Sequence, residues 1–144
     1  MFLVVDINVI LSALVSHGNS SRIFELNSEK KKFDFIAPQF ILIEAGKHLT
    51  EIAKRSTLPI EETQRDLELI TKQINFFPEE DYKDKLAEAR NILKEHQKDV
   101  PYLALALKFD CDIFSGDKIF KQLCPNKVRN PKEILQELLD SEIY

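Results

Sequence analysis

The chain has 144 residues, 44% of them hydrophobic, which is enough for one well-filled core and too short for two ordinary domains. We therefore expect residues 1–144 to form a single domain. Twenty basic and 24 acidic residues give a formal net charge of −4, so the protein as a whole does not attract nucleic acid. Any polyanion must be met by a local basic surface or by a metal ion.

Cysteine usage and hydropathy predict a soluble, cytoplasmic protein. Cys111 and Cys124 form no CxxC pair and have no histidine cluster beside them, which argues against a disulfide framework and against a structural zinc site. Asp6 interrupts the first apolar run too early for a signal peptide, and no later run approaches the length of a membrane span. We expect no contact with a membrane.

The first part of the chain predicts a strand followed by two helices. Residues 2–5 form a continuous run rich in β-branched side chains, which is typical of a strand buried on both faces in a parallel sheet. Apolar residues at helical spacing continue to a turn at 17–20, and Ser20 or Ser21 is predicted to cap a second helix. The lysines at 30–32 close that helix favourably for its dipole.

The middle of the chain predicts a second strand at 33–36, ended by Pro38, and then a helix over residues 40–52. The apolar stripe of this helix includes Ile43, and the next residue, Glu44, is an acid on the same stripe. A carboxylate in that position is costly to bury without a partner.

Pro59 is predicted to open an amphipathic helix that continues through Ile74. Residues 76–78 are predicted to form a brief edge strand. A further amphipathic helix is predicted over 82–93.

The last part of the chain predicts a central helix, two short strands and a closing helix. Asp99 starts the central helix, and residues 102–107 are apolar almost all round, so this helix should lie inside the molecule. Residues 111–115 and 128–129 are predicted strands, and Pro131 begins the last helix. Strands and helices alternate throughout, which predicts an α/β fold: one three-layer α/β/α domain with a short, mostly parallel central sheet.

Four carboxylates lie where a metal-dependent nuclease needs them. Asp6 and Asp117 each follow a predicted strand, and ligands collect at such strand ends, so these two side chains converge if their strands are neighbours. Glu44 lies on a helix, and Asp99 precedes the central helix. Magnesium and manganese bind carboxylate and water oxygens, and a divalent cation removes the repulsion between crowded acids. The pattern therefore predicts phosphodiester chemistry.

Each acid taken alone also has a purely structural explanation. Aspartate is a preferred N-cap residue, so Asp6, Asp99 and Asp117 can each be starting a helix. Glu44 can be a salt-bridged or solvent-reaching side chain. Capping does not require acids at the ends of adjacent strands together with one on a helix, and the combination favours a functional site.

At this point the sequence resembles a known family. The segment Val-Val-Asp-Ile-Asn-Val-Ile at 4–10 resembles the opening motif of PIN domains, in which a strand delivers an aspartate followed two positions later by asparagine. Glu44, the Asp-Val-Pro start of a Leu-Ala-rich helix at 99–106, and Phe-Ser-Gly-Asp at 114–117 are similar to the further acidic motifs, in the same order. The turn and final helix at 130–135 also match.

The resemblance implies a divalent-metal-dependent endoribonuclease, often the VapC-like toxin of a toxin–antitoxin pair and commonly a homodimer. RNA is then the substrate and an antitoxin protein a partner. The implied metal ligands for magnesium or manganese are Asp6, Asp99 and Asp117. Glu44 shares the site or holds a water, and Asn8 and Ser115 orient the acids by hydrogen bonds. The chain departs from the family at Ile7 and Ser115, where threonine is more usual, although serine keeps the hydroxyl.

Local basic clusters are the candidates for steering RNA, although most of them are interpreted as solvated surface; Lys118 and Lys121 are favoured because they follow Asp117. Asp112 starts its strand and should therefore lie at the opposite end of the sheet from Asp117. Tyr102 is interpreted as a core residue.

The histidines are given no part in the predicted site. His48 lies one helical turn after Glu44 and is interpreted as a surface residue. His17 and His96 have no predicted partners.

Other functions compete with nuclease activity. A haloacid-dehalogenase-type phosphatase needs a second aspartate at position 8, where this chain has Asn8, and a response-regulator receiver needs an acidic pair and a strand-ending lysine that the sequence lacks. Either would form an aspartyl phosphate at Asp6 with acetyl phosphate. A housekeeping RNA-processing nuclease and a catalytically silent PIN-like RNA-binding or interaction module both stay open.

Overall fold

Short apolar segments form the strands, and helical segments connect them. In this computed structural model, which describes residues 1–16 and 18–141, the strands are β1 (Phe2–Val5), β2 (Asp34–Pro38), β3 (Ile74–Phe77), β4 (Asp112–Phe114) and β5 (Val128–Arg129). The helices are α1 (Ile7–Val15), α2 (Asn19–Lys30), α3 (Phe40–Lys47), α4 (Leu49–Ser56), α5 (Ile60–Thr71), α6 (Leu86–Leu93), α7 (Val100–Phe109), α8 (Lys118–Leu123) and α9 (Pro131–Asp140).

The five strands form one sheet in the order β3-β2-β1-β4-β5, and every pair is parallel. Helices flank this sheet, so the predicted α/β fold is confirmed, with β3 at an edge as expected. The chain moves from β1 to β2 and β3 on one side and then returns to add β4 and β5 on the other. Strand order therefore reverses between β1 and β4, where ligands collect in folds of this kind.

The core lies on both faces of the sheet. In β1, Leu3, Val4 and Val5 are fully buried, as the continuous apolar run predicts. In α7, buried residues extend almost all round the helix and include residues 102–106, and α7 packs against β1, β2 and β4. The prediction that this helix is central is therefore confirmed.

Several predicted boundaries are wrong for local reasons. Neither Ser20 nor Ser21 caps α2, because helical backbone already begins at Asn19 and Ser20 is buried inside the first turn. The predicted turn at 17–20 includes His17, which lies outside the described residues.

The predicted helix over 40–52 is two helices. At His48 the backbone leaves the helical region (φ −96°, ψ 4°), so α3 ends at Lys47 and α4 begins at Leu49. Within α3 the buried face is formed by Ile41 and Ala45, so Ile43, expected to face inward, lies on the other side of the helix and is 65% exposed.

The segment 74–93 also differs from prediction. Ile74 belongs to β3 and not to the preceding helix, and two 3-10 turns, Glu79–Asp81 and Lys83–Lys85, precede α6, which begins only at Leu86. Among the described residues, no helix has the length and apolar character needed to cross a membrane. Both cysteines are free, as predicted.

Asn27 provides a test of how the chain is held between α2 and β2. Its buried side chain donates to the carbonyl of Phe33 (3.0 Å) and accepts from the N–H of the same residue (2.9 Å). Asn27→Ala removes both partners and leaves two buried backbone groups unpaired, so we expect a loss of about 2 kcal/mol in the free energy of unfolding. Urea denaturation measures it. Ser28→Ala, at an exposed hydroxyl, is the control and should change stability by less than about 0.5 kcal/mol; equal losses contradict the assignment.

Candidate metal-binding active site

Asp6 is fixed at the end of β1 by hydrogen bonds from two neighbouring elements. Its carboxylate accepts from the backbone N–H of Asn8 (3.2 Å), the side-chain amide of Asn8 (3.0 Å) and the hydroxyl of Ser115 (2.7 Å). Asn8 also accepts from the N–H of Gly116 (3.3 Å), so the two strand ends are tied together. Burial raises the pKa of Asp6, and the Ser115 and Asn8 hydrogen bonds oppose that rise.

Asp117 is held close by, where the chain leaves β4. One carboxylate oxygen, Oδ1, accepts from the N–H groups of Ile119 (2.9 Å) and Phe120 (3.1 Å) and caps α8. The other, Oδ2, lies 3.0 Å from the ammonium of Lys98. Burial favours a higher pKa, but the hydrogen bonds from Phe120 and Lys98 outweigh it and hold the pKa of Asp117 below its ordinary value.

Asp99 precedes α7 but makes no side-chain capping bond. Its side chain is only 4% exposed, and Oδ2 lies 2.6 Å from Nε2 of His96 without hydrogen-bond geometry, so neither atom has a hydrogen-bond partner in the described structure. Burial, followed by the charge of Asp6, raises the pKa of Asp99 to about 6. Capping therefore explains part of the arrangement of Asp6 and Asp117 and nothing about Asp99.

Glu44 lies on α3 and is the most exposed of the four acids, with 41% of its side chain accessible. It faces Lys47 (3.7 Å) and His48 (3.9 Å). The expectation that it lies on a buried apolar stripe is wrong, because the buried face of α3 is formed by Ile41 and Ala45 and Glu44 lies at its margin.

All four acids line one cleft of about 360 Å³ at the carboxyl ends of β1 and β4. Its other lining residues include Asn8, Leu11, Phe40 and Lys98. Tyr102 is buried as predicted, yet it also lines the cleft, where its hydroxyl accepts from the N–H of Ile7 (3.3 Å). Burial raises the pKa of this phenol, so Tyr102 stays protonated.

The sequence reasoning missed His96 and Lys98. The prediction that His96 has no partner is wrong, because a 3-10 turn at Gln97–Asp99 brings residues three apart onto the same side and places His96 against Asp99. The His-x-x-Asp spacing just before a helix is the signal that could have revealed this contact. Lys98 is 66% exposed along its side chain, but its ammonium reaches Asp117.

The other predicted residues lie around the site. Lys121 contacts the carbonyl of Val128 (2.6 Å) and Glu133 (3.0 Å), and Lys118 is exposed; among the residues described, neither lines the cleft. Both stay predictions as substrate contacts.

Two placements agree with the sequence. His48 is about half exposed at the rim of the cleft. Asp112 starts β4 and so lies at the end of that strand remote from Asp117, beside Arg129 (3.9 Å), as predicted.

The donor atoms fit a divalent cation. One ligand atom from each of His96, Asp99 and Asp117 lies within 4.8 Å of the others, and one oxygen of Asp99 is buried and has no hydrogen bond from any described residue. The charges of Asp6 and Asp117 both raise the pKa of Asp99, which shows that the three carboxylates repel one another. A hard cation with oxygen ligands removes that repulsion.

Comparison with known proteins agrees with this geometry. The family model of the PIN domain matches residues 4–138. The chain belongs to the PIN domain family. A comparison with curated proteins finds no match to this chain. Among solved structures, the crystal structure of VapBC2 from Rickettsia felis bound to a DNA fragment from their promoter is similar, with a TM-score of 0.68 and 15% identity over 90% of this chain and 98% of that chain. At that identity the likeness shows the fold.

The buried carboxyl of Asp99 predicts how stability changes with pH in the metal-free PIN domain. Its pKa is about 6 in the folded protein against an ordinary value of 3.8, so between these values the folded state keeps a proton that the unfolded chain releases. The free energy of unfolding should therefore fall as pH rises through this window. Asp99→Asn removes the ionisable group and should flatten that slope, as measured by urea denaturation in the presence of a chelator.

Asp112→Asn is the matched control, since Asp112 is an aspartate outside the cleft. It should keep the slope of the parent protein. Parallel curves for the parent and Asp99→Asn would contradict the assignment of the raised pKa.

Proposed function

We propose that the protein is a divalent-metal-dependent endoribonuclease and the toxin of a toxin–antitoxin pair. The observation that supports this most is the convergence of Asp6, Glu44, Asp99 and Asp117 in one cleft of a PIN domain. The four acids come from separate parts of the sequence, and three of them are crowded closely enough for their charges to interact. Such an arrangement is costly unless a cation is bound there.

The proposed ligands of Mg²⁺ or Mn²⁺ are Asp6, Asp99 and Asp117. Asp6 uses three of the roughly four acceptor positions of a carboxylate on Asn8 and Ser115, which leaves one for a ligand. Oδ1 of Asp117 caps α8, and Oδ2, which lies beside Lys98, is left to bind the cation. A bound cation of this type activates water and stabilises charge on a phosphodiester.

The surrounding residues hold and orient the reacting groups. Asn8 and Ser115 fix the carboxylate of Asp6, and Glu44, exposed at the rim, is placed to accept a hydrogen bond from a water molecule entering the cleft. Lys98 reaches into the cleft from an exposed position, so its ammonium can contact a phosphate once Asp117 has bound the cation. No residue is required to form a covalent bond with the substrate.

Charge determines how an RNA strand approaches. The protein carries a net charge of −4 and its cleft is acidic, so a polyanion is repelled until a cation is bound. Lys98 and Lys47 provide positive charge at the cleft or its rim. Lys118 and Lys121 are proposed as more distant contacts.

The likeness to a VapBC2 structure supports the proposal that the protein is a toxin. This proposal can be tested independently of metal-dependent RNA cleavage. We propose an antitoxin protein as partner, a homodimer, and action in the cytoplasm. Expression should arrest growth, and the product of a small adjacent reading frame should relieve the arrest. A housekeeping nuclease would cleave RNA without arresting growth, and a silent module would bind RNA without cleaving it.

Removing a single carboxylate tests the proposed chemistry. Asp6→Asn and Asp99→Asn each replace an anionic oxygen with a neutral amide, so we expect RNA cleavage with Mn²⁺ or Mg²⁺ to fall by roughly 100-fold or more. Cleavage of a structured RNA in gel assays measures this, with circular dichroism to confirm folding. Asp112→Asn should cut as well as the parent. Full activity in both cleft variants would rule out the assigned site.

Ser115 tests the positioning of Asp6. Ser115→Ala removes the 2.7 Å hydrogen bond to Asp6 and an acceptor for the N–H of Asp117. Because a hydrogen bond that orients a metal ligand contributes about 10-fold or more to metal affinity, Mn²⁺ binding measured by calorimetry should weaken by that factor. Ser115→Thr keeps the hydroxyl and should retain more affinity than the alanine variant. Equal affinity in Ser115→Ala and the parent would exclude this role.

A further inference from the structure

We propose that His96 is itself a ligand of the metal ion, which makes the site a mixed nitrogen and oxygen site that favours transition metals over magnesium. The inference rests on the metal site of the proposed function but concerns a residue outside the four acids. It turns on the placement of His96 Nε2 among the oxygens of Asp99 and Asp117.

The backbone between α6 and α7 determines where the imidazole lies. Lys94 has a left-handed backbone (φ 53°) where α6 ends, and the N–H of His96 then donates to the carbonyl of Leu93 (2.9 Å). The 3-10 turn at Gln97–Asp99 follows directly, and its three-residue period places the side chains of His96 and Asp99 over one another. Two irregular turns are therefore combined in a way that aligns these two groups.

Both facing atoms are buried, and among the described residues neither has the hydrogen-bond partner that buried polar atoms normally have. Nε2 of His96 and Oδ2 of Asp99 lie 2.6 Å apart without hydrogen-bond geometry, and the side chain of Asp99 is more than nine-tenths buried. An unpaired buried polar atom costs free energy. A cation in contact with both atoms removes that cost.

A third donor completes the set. Oδ2 of Asp117, the oxygen that does not cap α8, lies 3.9 Å from Nε2 of His96. The ammonium of Lys98 lies 3.0 Å from the same oxygen, so positive charge is already attracted to this point. Lys98 is mostly exposed and can move into solvent when a stronger cation binds.

The ligand chemistry predicts which metals bind well. Carboxylates and water suit Mg²⁺, Ca²⁺ and Mn²⁺, whereas imidazole suits later transition metals such as Ni²⁺ and Zn²⁺. One imidazole beside two carboxylates should therefore raise affinity for Mn²⁺ and still more for Ni²⁺, relative to a site with oxygen ligands alone. Loss of the imidazole should reduce Ni²⁺ affinity much more than Mg²⁺ affinity.

The decisive experiment is pulsed electron paramagnetic resonance of the Mn²⁺-loaded full chain, prepared without a polyhistidine tag. A directly bound imidazole gives a ¹⁴N coupling that an uncoordinated histidine does not. We expect this coupling in the parent protein, its loss in His96→Gln, and its retention in His48→Gln. His48 is the matched control because it lies beside Glu44 at the rim of the same cleft.

A second preparation keeps the test valid if His96→Gln does not fold. The chain has three histidines, so the double variant His17→Gln/His48→Gln leaves His96 as the only one. Labelling its histidine with ¹⁵N should replace the ¹⁴N coupling by a ¹⁵N coupling. Calorimetry should also show a loss of about 10-fold or more in Ni²⁺ affinity for His96→Gln, with a smaller change for Mg²⁺.

The outcomes separate this inference from the proposed function. If the parent binds Mn²⁺ but shows no nitrogen coupling, or if the coupling survives in His96→Gln, His96 is not a ligand and only the oxygen site stands. Loss of the coupling in His48→Gln instead would identify His48 as the nitrogen ligand and overturn the inference. If the parent takes up no Mn²⁺, both the inference and the proposed metal-dependent function are wrong.

Discussion

The parallel pairing of β1 with β4 is the constraint on which the site depends. Val5 pairs with Phe114, and the N–H of Asp6 donates to the carbonyl of Phe114 (3.0 Å), so the two strands end together. Asp6 and Asp117, which follow these strands, are therefore neighbours although they are 111 positions apart in the sequence. Because strand order reverses here, no connection crosses over these ends and the cleft stays open.

Burial then gives these carboxylates their chemical character. The same apolar packing that stabilises β1 and α7 removes water from Asp6 and Asp99, and desolvation is the largest cause of the raised pKa of each. Asp117, at the more open side, has a lowered pKa because N–H groups and Lys98 stabilise its charge. Acids with opposite pKa shifts therefore face one cleft. A cation bound there would offset the free-energy cost of desolvating the charged carboxylates of Asp6 and Asp99.

Regular elements were predictable because their information is local. The apolar run at 2–5 and the segment at 102–107, apolar almost all round, can be buried only as a central strand and a central helix. These two elements predict the sheet and the proximity of Asp6 to Asp117. The sequence predicts all four acids that line the cleft, and for Glu44 the prediction is supported by the family resemblance in motif order.

Irregular backbone was not predictable from the pattern. The break at His48 divides the predicted helix over 40–52 into α3 and α4, and the 3-10 turn before α7 brings His96 to Asp99. Neither involves a proline or glycine at the break itself, and hydropathy has no period that distinguishes a 3-10 turn from one helical turn. Long side chains such as Lys98 add a further difficulty, because their reach depends on the tertiary structure.

The ammonium of Lys98 beside Asp117 has a consequence for the proposed binding of a metal ion. A tethered monovalent cation partly neutralises the cleft, so arrival of a divalent ion that displaces it changes the local charge by one unit and not by two. In the proposed function, metal loading is therefore an exchange of one cation for another, which would tie occupancy to the concentration of competing ions in the surrounding solution.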